Sequence, residues 1–348
     1  MTSAIGTKRT WRSHSAMAAF GGKADMQLLP RMRVIGSHNF YKKLALTKLS
    51  PLSIGPSRAM HQSYTTINKV RQVRSVTVPT IMYGTAWKEL HTEALTLQAI
   101  NCGYRAIDTA NQRKHYVETA VGAALTAAVA ASIATRESLF LQTKFTYPAG
   151  QDHRLPYDAN ADIDTQVHQS IESSLCHLGV TRIDSYILHA PSCTVGLGEA
   201  DWQAWRAMEQ EACNGRIGLL GVSNVSFEQL AALLERVKIT PTFVQNRCLA
   251  RMGWDADVRR LCQAHDIVYQ GFSLIPANLH TLSSSRMIAT ARRHGKTIAQ
   301  MIFRFALQLG ILPLTGTRDI THMRENLDVF DFALSDDELQ FMLAVGVP

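Results

Sequence analysis

The chain has 348 residues, 46% hydrophobic and 18% charged, with a mean hydropathy of −0.05. That is enough apolar material for one large core or two modest ones, which excludes a disordered chain, and no run approaches the roughly 20 apolar residues a transmembrane helix needs. The net charge of +8 is confined to one end: residues 1–75 hold 13 Lys and Arg against the single acid Asp25, while the rest holds 23 against 27. The body is therefore mildly acidic, and it lacks the aromatic and basic motifs of a nucleic-acid binder.

Residues 1–75 read as a leader, rich in Ser, Arg and Lys and without a long periodic apolar pattern. The composition suits an organelle transit peptide, or an inert extension. No apolar segment follows the first charges, so a secretory signal is not expected. The compartment is then cytoplasmic, or mitochondrial if the leader directs import.

From residue 76 to 348 short apolar runs alternate with amphipathic segments. Strands are predicted at 80–83, 106–108, 139–144, 183–189, 219–223, 242–245, 267–272 and 311–314. Helices are predicted at 92–102, 118–131, 164–178, 201–214, 226–237, 255–265, 297–308 and 336–344, with Thr92, Asp164, Asp201, Ser226, Asp255 and Thr297 as N-caps. Gly179, Gly215 and Gly310 stand where helices end. Such alternation means parallel strands joined by right-handed crossovers.

Two architectures satisfy it, an open doubly wound sheet or a closed eight-stranded parallel (β/α)8 TIM barrel. The open dinucleotide-binding sheet should carry G-x-G-x-x-G after its first strand. The first turn instead reads Gly84-Thr85-Ala86-Trp87-Lys88, and the barrel is the expected fold. Barrel enzymes carry their chemistry at the carboxyl ends of the strands, where Asp108, Lys144 and His189 close three consecutive runs. Singly, each could be a cap, a solvated strand end or a satisfied histidine. Together they form an acid/base constellation.

The segments Tyr104 to Ala110, Tyr116 to Gly122, Thr143-Lys144, Asp184 to Pro191, Gly221 to Asn224 and Asn326 to Ser335 resemble, in order, the successive signatures of the aldo-keto reductases. The resemblance implies hydride transfer between a nicotinamide dinucleotide and an aldehyde or ketone, with NADPH as first choice and NADH or dual use open. It places the catalytic four on Asp108, Tyr116, Lys144 and His189. It also puts Gly84, Thr85, Ser223, Asn224, Gln245, Phe272, Thr317, Arg318, His322, Glu325 and Asn326 at the coenzyme, and Trp87 and His115 at the substrate. Hydride addition builds negative charge on oxygen, so a proton donor is needed there; Lys144 is expected to lower the Tyr116 pKa toward working pH, Asp108 to hold Lys144, and His189 to orient the carbonyl.

Departures from the pattern matter equally. Arg113, not a tyrosine, follows Asp108 by five, and the segment up to Glu118 is two residues longer than usual, leaving Tyr116 as its only tyrosine and His115 as the alternative donor. The usual Lys-Ser pair for the adenosine 2′-phosphate falls on Gly316-Thr317 and the usual arginine on His322, so Arg318 is expected to supply the charge. The chain ends at Pro348 without the closing loop of many relatives, which implies an open, permissive pocket. Two other readings stay open: a non-catalytic dinucleotide-binding regulator, and a Schiff-base lyase using Lys144. The six scattered cysteines and the isolated His91-Thr92-Glu93 offer no metal site, and a monomer is the default in the absence of any signal for assembly.

Overall fold

In the computed structural model, residues 67–345 are described, so the leader up to residue 66 lies outside the described residues. The first element is an antiparallel hairpin, β1 (Val70–Val73) and β2 (Val76–Pro79). Eight parallel strands follow: β3 (Met82–Gly84), β4 (Ala106–Asp108), β5 (Phe140–Phe145), β6 (Ile183–Leu188), β7 (Ile217–Ser223), β8 (Phe243–Arg247), β9 (Val268–Phe272) and β10 (Leu312–Thr315). Because β10 pairs with both β9 and β3, the sheet closes into the expected barrel.

The outer layer comprises α1 (Thr92–Cys102), α2 (Glu118–Ala130), α3 (Ile163–Leu178), α4 (Glu199–Cys213), α5 (Phe227–Arg236) and α6 (Ala256–Ala264). It continues with α7 (Leu279–Leu282), α8 (Ser285–His294), α9 (Ile298–Gln308), α10 (Ile320–Leu327) and α11 (Asp336–Ala344). Ser226 and Thr297 close capping boxes on α5 and α9 as expected. Elsewhere the caps differ. Asp162, not Asp164, accepts the Thr165 amide at α3. Asp201 sits inside α4 and reaches back to the Gly198 amide, Thr92 donates its hydroxyl to the Glu89 carbonyl, and the Asp255 carboxylate accepts from Asn246 and Tyr269 rather than capping α6.

Period-two alternation decides what fills the barrel. Met82, Ala106, Phe140, Phe243, Val268 and Leu312, near the strand starts, form an apolar floor, and Val73 and Val78 of the hairpin pack into it. Above the floor the inward positions turn polar: Gln142, Ser185 and Gln270 are fully buried. Asp108 pairs in register with Gln142, Gln142 with Ser185, and Gln245 with Gln270. The carboxyl mouth thus rests on a polar layer, itself supported by a dry one.

The hairpin straddles the boundary expected at residues 75 and 76. Its turn holds Arg74 and Ser75 at φ 45° and 69°, a primed turn without the usual Gly or Asn, so no turn motif announces it. A chain beginning at residue 67 retains both strands, whereas one beginning at residue 76 loses β1 and with it the burial of Val73. The shorter chain should unfold at lower urea, less stable by about 2–4 kcal/mol from lost apolar burial and strand pairing. Coincident urea curves would show that the hairpin is no part of the barrel's floor.

Candidate active site

The carboxyl ends of β4 and β5 bring a carboxylate and an ammonium together inside the barrel. Lys144 Nζ lies 2.7 and 2.8 Å from the two Asp108 oxygens and 2.7 Å from the Thr109 carbonyl, so all three of its hydrogens are engaged. The pair is almost wholly buried, with side chains 1% and 4% exposed. Burial pulls the Lys144 ammonium below its ordinary pKa, and the Asp108 charge opposes that pull. Removing either partner would strand a buried charge.

The loop after β4 carries Tyr116 to this pair. Its backbone is pinned at both ends: the Thr109 amide donates to the Gln142 carbonyl and the Asn111 amide to that of Lys144, while the Gln112 carbonyl accepts the His115 and Tyr116 amides. α2 then starts at the buried Glu118, whose carboxylate accepts the Thr143 and Ser174 hydroxyls and contacts His177. The Tyr116 ring lies 5.3 Å from Lys144 Nζ and 6.0 Å from the His189 ring, and its hydroxyl has no hydrogen-bond partner among the described residues. His115 instead stacks on Trp87 at 3.7 Å, on the rim.

One expectation requires correction. Lys144 does not draw the Tyr116 phenol toward working pH. Burial, with the Asp108 charge behind it, pushes that phenol well above its ordinary value, because the ammonium is turned toward Asp108 and its charge is largely neutralised there. The phenol is held protonated. His189 is neutral for a similar reason: burial, then Lys144 and His115, lower its pKa to about 3. Its Nδ1 is 2.6 Å from the Thr146 hydroxyl. Beside it opens a cavity of about 520 Å³ whose wall includes Gln112, Tyr147, Pro148, Ser192 and Asn224. The buried Asp201 carboxylate holds that wall, accepting from the Tyr147 hydroxyl, the Ser192 amide and the Ser192 hydroxyl.

At the ends of β7 and β8, Ser223 donates to the Gln245 carbonyl at 2.6 Å, and Asn224, at φ 56°, donates to the His189 carbonyl at 2.8 Å. Gln245 Nε2 points inward, to Asp108 at 3.1 Å and Gln270 at 2.9 Å. Phe272 ends β9 with the Arg247 guanidinium 5.7 Å from its ring. Gly84 ends β3, whereas Thr85 is fully buried and tied through its amide and hydroxyl to the Asp108 carbonyl.

Across the mouth, Arg318 donates to the Trp87 carbonyl, Thr317 accepts the Tyr83 hydroxyl on its carbonyl, and Asp319 caps α10 by accepting the Thr321 and His322 amides. The His322 side chain is exposed and Glu325 is half-buried. Asn326 is only 3% exposed and donates to Thr315, so it ties α10 to β10 instead of facing outward.

Lys88 belongs to this group although sequence reasoning gave it no role. Its ammonium is buried, 2.8 Å from the Gly316 carbonyl and 4.9 Å from the Tyr83 ring, with no carboxylate partner among the described residues. A Cβ built on Gly316 would stand 3.6 Å from it, so the lysine of the first loop occupies the space beside the position where a lysine was missed. Burial and the Arg318 charge lower its pKa to about 7. A lysine at the end of a glycine-led first turn was the available signal.

No helix among the described residues is long and apolar enough to cross a membrane. Residues 80–345 match the Aldo/keto reductase family. The chain is 29% identical over 284 residues to an uncharacterized oxidoreductase of Schizosaccharomyces pombe, covering 81% of this chain and 93% of that one. It is 31% identical over 270 residues to an aldo-keto reductase of Mycobacterium leprae, covering 76% and 86%. A crystal structure of a Bombyx mori aldo-keto reductase in complex with NADP superposes with a TM-score of 0.66 at 23% identity, covering 79% of this chain and 91% of that one. In barrel, strand order and matched length, the chain belongs to the aldo/keto reductase family of oxidoreductases.

Proposed function

We propose that the protein reduces an aldehyde or ketone to an alcohol with NADPH, Tyr116 giving the proton. The observation that carries this reading is the gathering of Asp108, Lys144, Tyr116 and His189 at the carboxyl mouth, with a cavity opening beside His189. The residues present fit a nicotinamide dinucleotide. Lys88 is a buried cation lacking a counter-anion, and Gln245 Oε1 lacks a donor among the described residues. A Bombyx mori aldo-keto reductase of similar fold was crystallised with NADP. When bound, the coenzyme supplies the hydride.

The chain's own groups supply the rest. The neutral His189, accepting from Thr146 on Nδ1, presents an Nε2 hydrogen that holds the carbonyl oxygen. Tyr116 transfers its proton to that oxygen as negative charge develops, and the nearby ammonium stabilises the phenolate left behind. Burial keeps the phenol protonated, the state a proton donor needs. A Schiff-base nucleophile would need a free amine, and the three hydrogens of Lys144 are engaged. Lys88 and Arg318 hold coenzyme phosphates, and the Trp87–His115 stack borders the substrate.

Tyr116→Phe removes only the hydroxyl and should lower kcat for an aldehyde by about 10² or more with coenzyme affinity nearly intact, general acid catalysis being worth roughly 10² to 10⁴. A near-normal kcat in Tyr116→Phe together with loss of activity in His115→Ala would transfer the role to His115.

The coenzyme contacts separate by charge and by pH. Lys88 is charged below about pH 7 and neutral above it, so NADPH affinity should weaken as pH rises through 7, by at most about tenfold per pH unit. Lys88→Met should lower the affinity and flatten that dependence; an unchanged profile by titration of NADPH fluorescence would remove Lys88 from the site. Arg318→Ala should raise KM for NADPH about tenfold or more, as for loss of a charged hydrogen bond, and leave NADH little changed. Equal effects on the two coenzymes would exclude a 2′-phosphate role.

A further inference from the structure

Beneath the catalytic quartet, four uncharged side chains from four strands are joined into one buried hydrogen-bond lattice, and its donor and acceptor directions are all determined. Asp108 engages Lys144 as a carboxylate and can only accept. Gln142 therefore turns Nε2 toward Asp108 Oδ1, at 2.8 Å, and toward Gln270 Oε1, at 2.8 Å. Its own Oε1 accepts from Ser185 at 3.0 Å and from Gln270 Nε2 at 2.9 Å. Gln245 meets the same two acceptors, Asp108 Oδ1 and Gln270 Oε1, and so must also present Nε2.

Reversing the Gln245 amide would set its oxygen against a carboxylate and the Gln270 oxygen, three acceptors with no hydrogen between them. Its orientation is thereby locked, and Oε1 is left as an acceptor without a partner among the described residues, at the carboxyl end of β8. Gln142, Ser185 and Gln270 are each fully buried, so water cannot relax the arrangement.

We propose that Gln142 and Gln270 are positioning residues that, alongside the direct Asp108 bond, fix the amide orientation of Gln245, so that the coenzyme site selects a dinucleotide whose ring bears an N–H donor. This rests on the coenzyme reading above and extends it. A carboxamide satisfies Gln245 Oε1, whereas an acetyl group in its place offers a methyl and leaves that oxygen bare. The discrimination belongs to residues with no direct contact to the ligand, through the rotamer and amide orientation they impose.

The test compares equilibrium binding of NADPH and of its 3-acetylpyridine analogue by quenching of intrinsic fluorescence, with no turnover involved. The wild-type protein should bind the carboxamide form more tightly by about three- to tenfold, as for one neutral hydrogen bond. Gln142→Leu/Gln270→Leu, which replaces both amides by apolar groups of similar size, should bring the ratio of the two dissociation constants toward one. Gln270→Met alone should narrow it partway, and thermal unfolding of each variant establishes which are folded. An undiminished ratio in a folded variant, or no discrimination by the wild type, would overturn the inference while leaving the coenzyme reading standing. Absence of binding of either dinucleotide by the wild type would overturn both.

Discussion

The buried ion pair between Asp108 and Lys144 is the constraint to which the rest of the mouth is fitted. Two charges taken out of water are tolerated only where further hydrogen bonds complete their shells. Here the Thr109 carbonyl completes the ammonium, and Gln142 and Gln245 complete the carboxylate. Those amides need partners in turn, which brings in Gln270 and Ser185, and the polar layer of the barrel follows from one carboxylate. The apolar floor under it keeps this layer dry, so every bond in it is stronger than it would be in water.

The same pair bears on the state of the Tyr116 phenol. An ammonium facing Tyr116 alone would draw the phenol down. Facing Asp108, it is largely neutralised, and burial together with the Asp108 charge raises the phenol. In the proposed reaction, assistance from Lys144 would come after the proton has moved, when a phenolate would stand beside it, the ring lying 5.3 Å away. His189 is likewise kept uncharged by its surroundings, which suits a hydrogen-bond donor to a carbonyl and not a proton source.

Much of this was legible in the sequence. The eight barrel strands are buried on both faces and read as apolar runs, and Asp108, Lys144 and His189 stood out because charge ends those runs. What escaped has physical reasons. The hairpin turns on Arg74 and Ser75, residue types that carry no turn signal. α8 shows few apolar positions, and its buried residues are only Met287, Thr290 and Ala291. The direction of the Tyr116 shift depends on where an ammonium points, which no spacing encodes. Lys88 becomes meaningful only beside Gly316, 228 positions away, and a polar residue on an inward strand face does not name its partner. Thr85 and Asn326, matched to the coenzyme by motif, are buried in ties to β4 and β10.

The hairpin under the barrel has a kinetic consequence. With Val73 and Val78 set into the floor, the amino end of the barrel is filled by apolar side chains, and the polar positions face the carboxyl end. Under the proposed function both reactants would enter from the carboxyl end, and a coenzyme reaching down to Gln245 would arrive before, and leave after, a substrate held at the Trp87 rim. Turnover would then be ordered by the shape of the site, with its ceiling set by how quickly the deeper ligand leaves.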